Sequence, residues 1–532
     1  MAKVVNFKNK LSYFLKLIDK RSEQGDLWGV LDATRNAVSH SKTRVEKEGL
    51  DLLMGQVYFD MGQHALAIEF FFRAVRVPHL RASAFFGVAR SLCCIKKFNL
   101  ALDYLEATIK WDMTGTFCGA VLEWTHFIKE SLKDPKAEVE SLMLSAKHFL
   151  SQRDFKCARE ILSSLKSDNE VLGLLALLNL FEEDYFQCEQ YAKKVLFENE
   201  FDPLANCVLV EVYQKKNNEK LCKKQLEKLE EIETEIPDDL LKIALTLSRF
   251  QKFDKAEKFF EKLCLKDEFN AKNHFFCGLC KFNIGKIEDA LVCESKARWL
   301  DGENPLYLFF FELIKTGDIL PFVEIKARLP KQVQKEKIEN LLEIFFSGNF
   351  SKEVQKSFYL LEDVKWSFSL KDLCITDHAS NALFCSGNKE ALKLAQNLML
   401  SPKLSARQKF LMTKNALLSN KVFQIDFVCN FHFSSFKISK NELSVFSNPN
   451  IKNGVCEAIS YAECFFPKEM ILEKIVKKSL KINKISTFLD IKSAKVACLL
   501  LWEYPSIFVS ACLFFDVNPK EIEDLDLGEV LK

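Results

Sequence analysis

Apolar and polar residues alternate with the period of an α-helix along much of the chain. In residues 54–75, apolar positions recur at steps of three and four on both sides of Gly62, which is the spacing of one helix face. Gly62 lies in a short polar turn, and a short turn between two helices makes them antiparallel. The pattern therefore predicts a helical hairpin over these residues, with one apolar face on each helix.

A small residue in the second helix of this hairpin returns at a constant interval of about 34 residues. The positions are Ala67 and Ala101, and further along the chain Cys188, Cys222, Ala256 and Ala290. Because one hairpin cannot cover its own apolar face, a repeat of this length predicts neighbouring hairpins that stack into a superhelix with a concave groove. The interval slips between Ala101 and Cys188, where we expect an atypical helical pair within residues 111–145.

The first hairpin also carries a recognisable set of residue types. Its packing glycine, tyrosine, turn glycine, small residue and aromatic residue are Gly55, Tyr58, Gly62, Ala67 and Phe71. This pattern resembles the tetratricopeptide repeat, and the resemblance is best over residues 46–305. It implies an all-α fold, namely a tetratricopeptide-type α-solenoid built as a superhelix of antiparallel helix pairs. It also implies a protein–protein interaction scaffold or adaptor without enzymatic activity.

The resemblance further implies where a partner binds. In this family the first helix of each repeat lines the concave groove, and residues that flank the packing glycine contact a bound protein or peptide segment. Carried onto this sequence, the groove residues are Phe59, Gln214, Lys215, Arg249, Phe275 and Phe282. The lysine and asparagine clamp of chaperone-tail-binding members is absent, since Leu52 and Gln56 occupy those positions in one repeat. An aromatic and basic groove favours a peptide with acidic and apolar residues.

The period changes along the chain, and five regions follow from it. After Pro305 the repeat weakens, and in residues 423–433 apolar residues alternate with mostly polar ones, which is the period of a strand. We expect N-terminal helices in a capping or degenerate repeat (1–45), the repeat array (46–305), divergent helical repeats (306–421), a small antiparallel β insertion (422–454) and a C-terminal helical region (455–532). Turns are expected at residues 439–441 and 448–454.

The segment HFFCGLC, residues 274–280, offers a histidine and two cysteines on one helix face. Tetrahedral zinc requires four ligands, usually with a flexible knuckle around the cysteines. In the repeat register, however, Cys277 takes a leucine position and His274 a tryptophan position. We therefore expect core packing and no metal, cofactor-binding or catalytic residue, while a metal- or redox-active cysteine protein stays open as an alternative.

Charge leaves a second alternative open. Lysine and arginine number 75 against 73 aspartates and glutamates, so no global positive field attracts nucleic acid. The basic stretch 473–484 predicts a solvated helix face, or contact with an acidic partner or RNA. Residues 510–525 resemble a helix-turn-helix with an acidic second helix, which DNA would repel. Nucleic acid is thus not the expected partner, although a regulator with a nucleic-acid-linked C-terminal region is the main alternative.

Cysteine usage and hydropathy bear on the compartment. The 18 cysteines are scattered without disulfide-framework spacing, and the N-terminus lacks a signal-peptide core, so we expect reduced thiols and a cytoplasmic protein. Residues 496–515 are apolar and, at about 20 residues, long enough to span a membrane. Glu503 and Pro505 interrupt them, which predicts two short buried helices and no membrane span. No motif for a small-molecule substrate occurs.

Overall fold

The described part of the chain is mainly helical. The computed structural model describes residues 10–152, 155–316, 323–357, 359–419, 424–438, 443–446, 448–466, 472–482 and 492–523. The chain divides into two compact units. The array unit comprises residues 58–64 and 89–330, and the terminal unit comprises residues 1–57, 65–88 and 331–532.

The helices up to Thr316 are mostly 10 to 18 residues long. In chain order they are α1 (Lys10–Glu23), α2 (Leu27–His40), α3 (Arg44–Asp60), α4 (His64–Ala74), a 3-10 turn (Pro78–Leu80), α5 (Arg81–Cys94), α6 (Phe98–Trp111), α7 (Cys118–Lys133), α8 (Pro135–Gln152), α9 (Phe155–Ser164), α10 (Asn169–Phe181), α11 (Tyr185–Glu198), α12 (Pro203–Lys215), α13 (Glu219–Glu231), α14 (Pro237–Arg249), α15 (Phe253–Lys266), α16 (Ala271–Asn283), α17 (Ile287–Leu300) and α18 (Pro305–Thr316).

Helices α10 to α18 confirm the predicted period. First helices begin at residues 169, 203, 237, 271 and 305, and second helices at residues 185, 219, 253 and 287, so each series advances by the interval read from the sequence. Several start at capping side chains; Asp202, for example, accepts a hydrogen bond from the Ala205 N–H at 2.8 Å, directly before Pro203. Residues 111–145, where an atypical pair is predicted, contain α7 and the first part of α8. Helix α8 packs mainly on α9, so α7 and α8 do not form the predicted pair.

The turns inside these hairpins share one backbone geometry. The residues with positive φ are Glu183, Asn217, Gln251 and Gly285, which follow one another at the same interval. In each turn the next N–H donates to a carbonyl five residues earlier, as in the 2.9 Å bond from Lys286 to Lys281. This is the bonding of a Schellman motif, which normally favours glycine at the left-handed position. Glycine occupies that position in only one of these four turns, so the stacked helices hold the conformation.

The terminal unit continues with shorter, less regular elements. These are α19 (Lys331–Phe346), α20 (Phe350–Lys356), α21 (Tyr359–Ser369), α22 (Leu373–Cys385), α23 (Lys389–Leu400), α24 (Ala406–Leu418), β1 (Gln424–Cys429), β2 (His432–Lys437), α25 (Pro449–Phe465), α26 (Leu472–Ile482), α27 (Ser493–Leu500), α28 (Pro505–Phe514) and α29 (Pro519–Glu523). One apolar core contains side chains from Leu341 to Ile522.

Helices α3 and α5 both pack closely on Phe71 of α4, and each has a glycine at the point of contact. Phe71 of α4 is almost fully buried, and a Cβ atom at Gly55 of α3 or Gly87 of α5 would lie 2.6 Å from its ring. No side chain fits at that distance, so glycine is required where the ring presses on both helices. Arg76, directly after α4, contacts residues far along the chain. It donates hydrogen bonds to Gln396 and Asn397 of α23, at 3.3 and 3.1 Å.

The predicted β insertion is confirmed as a two-stranded antiparallel sheet. Strands β1 and β2 pair in the register Ile425 to Phe436 and Phe427 to Ser434. Ile425 and Phe427 are buried on the core side, as the alternation predicts.

The two turns predicted after the sheet have different outcomes. The turn predicted over residues 448–454 is wrong, because the side chain of Asn448 caps α25, which begins at Pro449. Asparagine followed by proline is a helix start as well as a turn signal. The turn predicted at residues 439–441 lies outside the described residues.

Residues 496–515 form parts of two helices, α27 and α28, as predicted. Most residues of α27 are buried, and Ile507, Phe508, Ala511 and Cys512 of α28 are buried with them. Among the residues that the structure describes, no helix has both the length and the apolar composition needed to cross a membrane.

Candidate partner-binding surface

Three consecutive first helices of the array unit carry predicted groove residues near their C-terminal ends. Gln214 and Lys215 are exposed at the end of α12, Arg249 ends α14 with its side chain 48% exposed, and Phe282 is half-buried on α16. The prediction placed these residues on first helices, and the structure shows them there. Whether a partner contacts them stays a prediction.

One ion pair joins two neighbouring first helices near the predicted groove residues. Arg249 of α14 forms an ion pair with Glu211 of α12. Glu211 lies one turn before Lys215 on the same helix, so the two residues project from the same helix face. Arg249 also lies near the carboxylate of Glu324, while the exposed Lys215 forms no ion pair among the described residues, so Lys215 is the cation most open to an acidic group on a partner.

Phe59 has a different environment from the residues on α12 to α16. Its ring lies 4.4 Å from the guanidinium of Arg90, and 5.2 Å from the ring of His64. The neighbouring Tyr58 donates a hydrogen bond to the carbonyl of Leu300 at 2.7 Å. Phe59 is half-buried and contacted by side chains of its own unit, so it offers a partner only part of its ring.

The structure corrects the prediction for Phe275. This residue was expected to face the groove, but its side chain is completely buried. Its ring centroid lies 5.0 Å from that of Tyr307 and 5.4 Å from that of Phe310, both on α18. The reason is the next first helix, which packs on this face of α16 and covers the ring. Phe275 contributes to the core and not to a binding surface.

The segment HFFCGLC lies inside α16, as its repeat register predicts. His274 and Cys277 are buried, and His274 Nε2 is 2.7 Å from the carbonyl oxygen of Glu268. The hydrogen bond with Cys264 raises the pKa of the Cys277 thiol, and the hydrogen bond with Cys277 raises the pKa of Cys293. A raised pKa keeps a thiol protonated and poorly nucleophilic. Within the described ranges, no cluster of histidine, cysteine and acidic residues has the arrangement of a metal site.

A buried ion-pair network surrounds Lys281 on the same helix. Its ammonium group lies 3.0 Å from Glu257 and 2.6 Å from Glu261, and Lys286 lies 2.7 Å from Glu257. Burial opposes the charge, but the hydrogen bonds to Glu261 and Glu257 raise the pKa of Lys281. These charges hold α15 and α16 together, so this network reads as structural.

Glu294 is a buried acidic residue that the sequence analysis did not single out. It is completely buried on α17, and neither carboxyl oxygen has a hydrogen-bond partner among the described residues. One oxygen lies 2.6 Å from where a Cβ would stand on Gly278. Burial raises the pKa of Glu294 well above its usual value. A signal was present: Glu294 follows Ala290 by four residues, where Phe71 follows Ala67 and Phe260 follows Ala256.

The region that resembles a helix-turn-helix ends in a short helix, α29, that packs on its own unit. Helix α29 spans only five residues, and Ile522 on it is completely buried. Its Glu521 forms an ion pair with Lys495 of α27 at 2.6 Å. A short acidic helix tied to its own unit does not present the basic surface that DNA requires. Leu525 and the acidic residues after Glu523 lie outside the described residues.

No family model matches this sequence, and no curated protein matches it. Solved structures do match. They include the TPR2AB domain of yeast Sti1 in a complex with pHSP90 (12% identity, 57% of this chain, 96% of that chain, TM-score 0.21). A tetratricopeptide repeat protein from Parabacteroides merdae matches with 11% identity and a TM-score of 0.23; the match covers 57% of this chain and 99% of that chain. The APC/C hetero-tetramer Cut9–Hcn1 matches with 12% identity, 98% and 96% coverage and a TM-score of 0.24.

Similarity at these TM-scores carries no argument about partners or activity. These matches are all tetratricopeptide repeat proteins. The sequence predicts the same repeat. The fold itself rests on this chain's own hairpins, whose helices begin at a constant interval and whose turns share one geometry. The all-α, tetratricopeptide-type solenoid is confirmed on that basis.

Proposed function

We propose that this protein is an interaction scaffold or adaptor that binds a protein or peptide segment on the first helices of the array unit. The observation that carries the proposal is the row of chemically different side chains at the ends of α12, α14 and α16. Gln214, Lys215, Arg249 and Phe282 provide an amide, two cations and an aromatic ring on consecutive repeats. A solenoid whose repeats expose different side chains recognises an extended partner segment one repeat at a time.

The charge of this surface specifies the partner's chemistry. A carboxylate on the partner would compete with Glu211 for Arg249 and would also meet Lys215, while an apolar side chain would pack on Phe282. Micromolar affinity corresponds to only about −8 kcal/mol, and a few such anchors supply it. The proposed ligand is therefore a segment with acidic and apolar residues in alternation along the repeats.

The proposal includes a cytoplasmic location. All 18 cysteines are free thiols, and many of them are buried, which supports a reducing compartment. Fractionation of cells that express the tagged full chain tests this part of the proposal. Recovery of the protein with oxidised cysteines from a secretory fraction would contradict it.

Affinity capture with the full chain tests the binding proposal. Partners captured by the wild type are compared with those captured by Lys215→Glu and by Arg249→Glu. The matched control is Lys223→Glu, which makes the same charge change at an exposed position on the second helix α13. We expect specific partners to fall about tenfold with the first two variants, since tenfold corresponds to about 1.4 kcal/mol, and to persist with the control. Equal capture by all four proteins would refute the proposed surface.

A further inference from the structure

The clearest unassigned surface of the array unit is an open groove between α17 and α18. It encloses about 460 Å³ and is lined by Leu291, Val292, Ser295, Lys296, Phe311 and Lys315. The groove uses the second helix of the last regular repeat together with the helix that follows. It is thus separate from the predicted residues at the ends of α12, α14 and α16.

Its floor is apolar and accessible. Val292 is 56% exposed, and Leu291 and Phe311 are partly exposed beside it. The guanidinium of Arg298 lies 5.3 Å from the centroid of the Phe311 ring and covers one part of it. Adjacent apolar side chains left open between two helices form a natural seat for an apolar side chain of a partner.

Two lysines give this groove its charge. Lys296 lies on α17 and Lys315 on α18, both side chains are exposed, and neither forms an ion pair within the described part of the chain. The nearby acids Glu288 and Glu312 are exposed but do not line the groove. In the same repeat, by contrast, Lys281 on α16 and Lys286 directly before α17 are both paired with carboxylates.

We propose that the α17–α18 groove binds an acidic amphipathic helix of a partner protein. An apolar side chain of that helix would enter between Val292 and Phe311, and carboxylates one turn to either side would meet Lys296 and Lys315. The apolar floor and the unpaired cations of the groove are together complementary to such a helix. A simple anion would leave the floor uncovered, and a neutral apolar helix would leave the cations unpaired. This goes beyond the proposed function, because it is a second surface, formed by α17 and α18 and not by the ends of α12, α14 and α16.

The test uses the full chain and a fluorescein-labelled synthetic helix whose one face carries leucine and glutamate. A counterpart with lysine in place of glutamate serves as the reference probe, and fluorescence anisotropy measures the dissociation constant. We expect only the glutamate probe to bind, and added salt to weaken binding because exposed cations are screened. Equal binding of both probes would overturn the proposal.

Variants locate the binding. The double substitution Lys296→Glu with Lys315→Glu, and separately Val292→Asp, should each raise the dissociation constant about tenfold or more. The matched controls on α15 are Lys258→Glu and Leu265→Asp, both at exposed positions, and they should leave it unchanged. Circular dichroism melting confirms that each variant is folded. Unchanged binding by the groove variants would remove this site.

Two further measurements separate the alternatives. Because the proposed ligand of the first-helix surface is also acidic and apolar, the Lys215→Glu variant tests which surface holds the probe. Loss of probe binding in the groove variants and not in Lys215→Glu supports the groove, whereas loss in Lys215→Glu with retention in the groove variants would overturn it, and the capture experiment tests the proposed function separately. Sedimentation velocity of the chain alone tests a different occupant, a second copy of this chain. A concentration-dependent dimer that Val292→Asp abolishes would overturn the assignment to a partner protein.

Discussion

The helices between residues 169 and 316 begin at a constant interval, whereas those between residues 331 and 523 differ in length and spacing. In the array unit each helix packs on its sequence neighbours, and one turn geometry recurs. In the terminal unit, Arg76 contacts Gln396 of α23, although the two residues lie far apart in the sequence. The difference shows that a periodic sequence reveals local packing, while long-range contacts leave no periodic trace.

Buried polar groups differ between the units in the same way. In the array unit, Lys281 pairs with acids on the adjacent helix α15. In the terminal unit, Lys409 is completely buried and donates hydrogen bonds at 2.5 Å to the carbonyls of Leu398 and Met399 at the end of α23. Local pairs suit a repeating stack, whereas a lysine that caps a neighbouring helix specifies one non-repeating arrangement.

The largest expected effect comes from matched aromatic residues in the two units. Phe71 and Phe260 are both buried, four residues after the small residue of their repeats. Substitution by alanine should cost about 3–5 kcal/mol in either case, because it leaves a cavity. Hydrogen exchange should rise only around α14 to α16 in Phe260→Ala, but across much of the terminal unit in Phe71→Ala.

The control for these variants is Phe186→Ala, since Phe186 is 64% exposed and its loss should change stability by less than about 0.5 kcal/mol. Equal exchange patterns in the two core variants, each spread through both units, would contradict the contrast between local and long-range packing.

The next effect concerns Lys409 of the terminal unit. Burial lowers its pKa to about 7, so the folded state favours the neutral amine while the unfolded chain binds a proton. The unfolded state therefore holds more protons between about pH 7 and pH 10, and stability rises with pH there by about 1.4 kcal/mol per pH unit. Lys409→Met should remove this slope, as measured by urea unfolding at pH 7, 8 and 9. Parallel curves for wild type and variant would exclude this role.

Glu294 provides the corresponding test in the array unit. Because burial raises its pKa, the folded state keeps its proton while the unfolded state loses it, so its contribution to stability falls as pH rises above about 4.5. Glu294→Met should stabilise the protein by about 1–3 kcal/mol at pH 7, because an unpartnered buried carboxyl is removed, and by less at pH 4.5. The control Glu227→Met, at an exposed position on α13, should show neither the gain nor its pH dependence.

The smallest expected effects lie in the turns. Asn217→Gly and Gln251→Gly should each stabilise by up to about 1 kcal/mol, since both residues adopt positive φ and glycine adopts it without strain. Gly285→Ala should lower the free energy of unfolding by about 1–2 kcal/mol, because alanine is strained at a positive φ. Chemical denaturation measures the free energy of unfolding of each variant. The control is Gln214→Gly, which should destabilise the protein because Gln214 lies within the helix α12. A loss of stability in Asn217→Gly would show that its side chain matters more than its backbone.

Much of the fold was readable from particular residues. Ala256 and Ala290 marked the period, Gly285 marked a turn, and Ile425 and Phe427 marked a strand, because each has a local consequence for backbone or burial. Phe275 was misplaced, because its burial depends on α18, a helix that the weakening repeat did not identify as a further first helix. The turn predicted at Asn448 is wrong, because capping and turn signals use the same residue types.

The sequence by itself determined the hairpins, their period and the small sheet, since helix and strand faces are set by the spacing of apolar residues. Only the tertiary structure decided which residues remain available to a partner. It buried Phe275, left Glu294 without a partner among the described residues, joined Arg76 to α23, and opened the groove between α17 and α18. These outcomes depend on which helices pack together, and that choice is made by contacts between residues far apart in the chain.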